Sequence, residues 1–232
     1  MHIQPTPATP QLSETTTMTS GGKSFTIYTS TAEARKVLKH NTQIVLTVTP
    51  KGSQKDLFIS QTPIAWKVLD FSPRNDLQYN ITWHADPAFA VIGRFESNTH
   101  VSPGNSGVLK IQGGGAIWGS AQGKRGQVMA RNETPIPQTF TLGSVDEDDN
   151  FESFVRFPPT PSGGAVSVEP ASYLQAYTVT GYKEGQLLSQ TDSNSFIFRK
   201  YDGSPLPIDL TTLQDGHAFL LSSEPSGRLV LE

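Results

Sequence analysis

The residues best equipped for chemistry in this chain are five histidines, one carboxylate run and three tryptophans. His2, His40, His84, His100 and His217 show no His-x-x-x-His or comparable spacing that would set two ligands on one face, so no metal site is expected from them. The run VDEDDNFE, ending at Glu152, gathers carboxylates of the kind hard cations take. It lacks the Asp-x-Asp-x-Asp-Gly spacing of a dedicated calcium loop and reads as a solvated linker. With no cysteine and no Gly-x-Ser-x-Gly elbow, no catalytic residue is assigned, although a triad assembled in space from separate residues would leave no such mark. GSAQGKRG, Gly119 to Gly126, is one residue short of a phosphate loop, and Arg125 stands where a hydroxyl should hold magnesium.

What remains is IQGGGAIWGSAQGKRGQV, Ile111 to Val128. Its consecutive glycines give the backbone unusual freedom around a large flat side chain, Trp118. An indole offers broad contact area and one N–H donor, which suits sugars and aromatic small molecules alike. The competing reading makes Trp118 a core plug and the glycines a bulged hairpin. The candidate ligand-binding set is therefore Trp118 with Gly114, joined by Trp83, its neighbour His84, and Trp66. His84 reads equally well as an ordinary strand-end residue.

The elements that must position these side chains are strands. Apolar residues recur with period two in FTIYT from Phe25, QIVLTVT from Gln43, PIAWKVLDF from Pro63, LQYNITW from Leu77, GVLKI from Gly107 and PQTFTL from Pro137. The pattern continues in FESFVRF from Phe151, LQAYTVTGY from Leu174, SFIFRKY from Ser195, HAFLLSS from His217 and RLVLE from Arg228. Gly, Pro, Asn and Asp punctuate these runs at spacings suited to sandwiches or barrels. One helix is expected, STAEARKVLKH, with Ser30 as its cap, Glu33 reaching back, and Ala34, Val37 and Leu38 on one face.

TVTPKGSQKDLFISQT, Thr47 to Thr62, resembles TVTGYKEGQLLSQT, Thr178 to Thr191. An offset of 130 residues also sets Trp66 on Phe196, Val68 on Phe198, Phe71 on Tyr201 and Phe89 on Phe219. Phe25 can be set against Phe154. The expectation is an all-β protein of two related antiparallel sandwich-like modules, residues 24–112 and 151–232. A disordered tail covers 1–23, and a Gly-rich connecting segment with strands and an acidic linker covers 113–150. Matched positions are core and turn residues, while His84 has no histidine counterpart, so the doubling encodes scaffold and a site belongs where the halves differ.

Charged residues make up 17% of the chain, below the roughly 25% of an average globular protein. A formal charge of −3 gives no reason to expect nucleic acid or an anionic membrane as partner. No apolar run approaches the about 18 residues of a membrane span. The first residues show neither a basic n-region nor an apolar h-region, and with no cysteine the expectation is a cytoplasmic protein. The sequons at Asn80 and Asn132 matter only on a secretory route.

No cofactor is required by any motif. The leading expectation is a non-enzymatic carrier holding a small organic ligand, flat or aromatic, in a single pocket lined by Trp118, Trp83 and Trp66. One alternative is a lectin-like glycan binder, in which tryptophan stacks on a sugar face. Another is an inhibitory or protein-interaction module. A homodimer is compatible with all three.

Overall fold

A computed structural model of the chain describes residues 22–38, 40–51, 59–92, 97–189, 197–198, 206–223 and 229–231. Residues 1–21 of the expected tail, together with Phe196 and Tyr201 of the sequence comparison, lie outside the described residues. Lys23, placed at the end of that tail, opens the first strand.

Seventeen strands and one short helix occupy the described residues. The first strands are β1 (Lys23–Thr29), β2 (Thr42–Pro50), β3 (Thr62–Pro63), β4 (Lys67–Phe71), β5 (Leu77–Trp83) and β6 (Pro87–Ile92). Then come β7 (Ser97–His100), β8 (Asn105–Gln112), β9 (Gly115–Gln122), β10 (Val128–Asn132), β11 (Thr139–Val145) and β12 (Phe151–Arg156). The chain ends with β13 (Ala165–Val168), β14 (Ala171–Thr178), β15 (Ile208–Asp209), β16 (His217–Ser223) and β17 (Leu229–Leu231). The protein is all-β apart from its helix.

The strands form four sheets, ordered β17-β16-β1-β5, β13-β10-β8-β9, β3-β12-β11-β6-β7 and β15-β14-β2-β4. All four take strands from both sides of the 113–150 segment. Pairing is antiparallel except between β1 and β16 and between β8 and β10. The word Thr47-Val48-Thr49 lies in β2, and its second copy begins at Thr178, the last residue of the strand paired with β2.

Alternation explains most of these strands. Phe25, Ile27 and Thr29 of β1 are buried while their neighbours are not, as expected of a strand covered on one face. β2 differs, because its burial is continuous from Ile44 to Pro50. Ile44, Leu46 and Val48 enter the main core. Val45, on the opposite face, joins Ala65, Tyr177, Val179 and Leu188 in a smaller second cluster.

The helix, α1 (Thr31–Val37), begins where expected: Glu33 N donates to Ser30 Oγ at 3.3 Å, and Thr31 N donates to the Asp76 carboxylate. Ala34 and Leu38 enter the core, and α1 packs against β16. The basic face stays in solvent, with Lys36 paired to Glu33 at 2.7 Å.

One core cluster draws on all four sheets, through residues such as Phe25, Leu46, Phe89 and Leu109. Rings tie the sheets together. Trp66 meets Phe154 edge-on at 5.8 Å between centroids and Phe25 at 6.5 Å. A bulge sets up that contact: Leu142 pairs with Val155 and Gly143 with Ser153, leaving Phe154 unpaired and turned inward. A Cβ on Gly143 would stand 1.9 Å from the Glu152 carbonyl oxygen, so only glycine permits this approach. Asn132 of β10 is fully buried and saturated: its amide donates to Ile136 O and Thr160 O and accepts from Thr134 N and Oγ1.

Candidate ligand-binding cleft

The three tryptophans occupy three different environments. Trp66 is a core residue, 4% exposed, whose indole N–H donates to Glu152 Oε2 at 2.9 Å. Lys67 Nζ lies 2.7 Å from the other carboxylate oxygen and 5.5 Å from the centre of the indole. Glu152 thus belongs to the packing around Trp66, and the acidic run it closes is the turn between β11 and β12. In that turn the Asp146 carboxylate accepts from the Asn150 side chain and from the backbone N–H groups of Asp148 and Asn150. The bonds from Asn150 hold its pKa below the ordinary carboxylate value. Among the described residues no three His, Asp or Glu side chains converge as metal ligands would.

Trp83 closes β5, also 4% exposed, with its buried indole N–H lacking an acceptor among the described residues. It forms part of the wall of one cavity, while Trp118 lines another and Trp66 lines neither. His84 faces a crevice of about 40 Å³ with Asp86 and Asp146, room for about one water and too small for an organic ligand.

Trp118 sits on β9 in a hairpin whose geometry follows from its glycines. Gly113 and Gly114 have φ of 61° and 85°, the signature of a two-residue type I′ turn. Gly114 therefore shapes the turn, and Gln112 pairs with Gly115 immediately beyond it. From that register, Leu109 opposes Trp118, Gly107 opposes Ser120 and Asn105 opposes Gln122, and strand alternation puts all three pairs on one face. It is the core-facing side, since Leu109 is 1% exposed and Trp118 packs on buried Phe140 at 5.9 Å. Along it the residue types change from apolar to polar.

Across from this face lies β7. Trp118 Nε1 donates to Ser97 Oγ at 3.0 Å, which fixes the ring. A Cβ on Gly107 would come within 3.0 Å of Thr99 Cγ2 and 3.2 Å of the Trp118 ring, so the glycine makes room for both. Beyond these contacts the strands enclose a cleft of about 600 Å³, within the range of small-molecule sites. Thr99, His100, Ser102, Asn105, Ser120 and Gln122 offer hydroxyl, amide and imidazole groups, and among the described residues no Lys, Arg, Asp or Glu lines it. Such a surface can exchange hydrogen bonds with a neutral polar molecule while the indole covers an apolar face.

Of the residues singled out from sequence, Trp118 lines this cleft and Gly114 shapes its hairpin, while Trp83, His84 and Trp66 lie elsewhere. Sequence reasoning missed Ser97, Thr99, Asn105, Gly107, Ser120 and Gln122. The signal for four of them was available: reading Gly113-Gly114 as a type I′ turn fixes the register and puts Asn105, Gly107, Ser120 and Gln122 on the tryptophan's face. β7 carries no such signal. No protein-family model matches the chain, and neither curated proteins nor solved structures provide a match to it.

Proposed function

We propose that this protein is a non-enzymatic binding protein that holds a small neutral, polyhydroxylated ligand, of the saccharide class, in the cleft beside Trp118. The observation that carries this reading is the change of residue type along the inward face of the β8–β9 hairpin. Leu109 and Trp118 continue the core, but Asn105, Ser120 and Gln122, at equivalent positions, are polar and enclose open space. All three are exposed, so water solvates them in the open cleft, and a ligand rich in hydroxyls can replace those waters bond for bond.

The same lining favours a saccharide over the flat aromatic ligand expected from the tryptophans alone. An aromatic guest would leave six polar groups facing hydrocarbon, whereas a sugar presents hydroxyls at its rim and C–H groups on its face.

A panel of neutral saccharides, screened as an immobilised array and followed by calorimetry in solution, tests the reading. Trp118→Ala is expected to abolish binding while lowering stability by about 1 to 2 kcal/mol, because the ring is only half-buried. Trp66→Ala should cost about 3 to 5 kcal/mol. Absence of binding across the panel, or binding that survives Trp118→Ala, overturns the proposal.

A further inference from the structure

A second cavity, of about 650 Å³, has a different character from the cleft. Trp83 and the prolines Pro87, Pro103 and Pro170 give it rigid apolar walls. Its charged lining is Asp86, Glu169 and Asp209 against the single ammonium of Lys51, a net charge of −2. Asp209 accepts from Thr211 N at 3.0 Å and Thr211 Oγ1 at 2.6 Å, bonds that leave its charge in place. Among the described residues, Asp86 and Glu169 form no ion pair.

A concave apolar wall bordered by unbalanced carboxylates concentrates negative potential where the local dielectric is lowest. The matching guest carries positive charge. A bare metal ion is the wrong guest, because its ligands must converge within a few ångströms and no three carboxylates or histidines among the described residues do so. Carboxylates spread around a cavity of this volume suit a cation whose charge rides on a larger body. That body meets the prolines and Trp83, and the charged end meets the carboxylates.

We infer that the cavity at Trp83 binds an organic ammonium ion with an apolar body. Its lining shares only Ser102 with the cleft at Trp118, and the two sites stand or fall independently.

The test uses the full chain and three probes of similar size and different charge: phenylethylammonium, 2-phenylethanol and phenylacetate. Binding is read from the three indole N–H resonances in ¹H–¹⁵N spectra, assigned with single Trp→Phe variants. Phenylethylammonium is expected to shift the Trp83 resonance and to bind at least about tenfold tighter than the alcohol, with phenylacetate weakest. Glu169→Gln and Asp86→Asn should each weaken the amine about fivefold with no change in melting temperature, and Lys51→Gln should tighten it. Added salt should weaken it, and Trp118→Ala should leave it unchanged. Equal affinity for the three probes, no movement of Trp83 with any of them at millimolar concentration, or indifference to both amide substitutions overturns the inference.

Discussion

Trp66 and Trp83 are equally buried, yet one indole N–H is bonded to Glu152 and the other has no acceptor among the described residues. Replacement by phenylalanine trims the same atoms at both positions, so the difference between the two variants isolates the fate of that N–H. Trp66→Phe also takes a partner from the Glu152 carboxylate, adding roughly 1.5 to 3 kcal/mol to the cost of lost volume. Trp83→Phe deletes an unsatisfied donor, whose burial costs about 1 to 3 kcal/mol, and this offsets much of the volume loss. In urea denaturation Trp83→Phe should fall within about 1 kcal/mol of the native chain, and Trp66→Phe should lose at least about 2 kcal/mol more. Equal losses would show that the carboxylate contact contributes nothing. None of this was legible in the sequence, where each residue is one apolar member of an alternating run. The partner that distinguishes them stands 86 positions along the chain, beyond the reach of any local pattern.

At the scale of elements, glycines that look alike in sequence do different work. Gly143 has the Glu152 carbonyl where its Cβ would go, a backbone atom held by the β11–β12 ladder, whereas Gly107 has only the Thr99 methyl and the Trp118 ring. Gly143→Ala should therefore cost about 3 kcal/mol or more, displacing β12 and with it Phe154 and Glu152. Gly107→Ala should cost about 1 kcal/mol, since side chains can move, but the displaced indole should weaken saccharide binding about tenfold. Melting curves and titrations on the same preparations separate these effects. The strands and the helix cap were readable from alternation and from Ser30 and Glu33, because both patterns are local. β6, β7 and the bulge at Phe154 were not, being set by how strands meet rather than by what each contains.

The whole molecule is organised by pairings that cross its length. β1 lies between β5 and β16, and β2 pairs with both β4 and β14, so each half of the chain supplies neighbours to the other. Residues 24–112 produced alone should give a spectrum without β-structure and amides that exchange at once, because β1 and β2 would each lose a partner. A cooperatively folding fragment would contradict this. Period-two hydrophobicity announced an all-β protein but could not announce these partners, since alternation fixes which face a residue takes and leaves open which strand lies beside it. Ser24 N meets the Asp215 carboxylate 191 positions away, and Phe25 pairs with His217. Joining such distant segments must overcome the entropy of closing a long loop, which sets refolding in the range of about milliseconds to seconds. During synthesis the order of events is then fixed by topology. β1 is synthesised well before its partner β16, and it waits with one edge open until β16 arrives. A message cut short before residue 217 would leave that edge permanently unpaired, an invitation to aggregate rather than a shorter working protein.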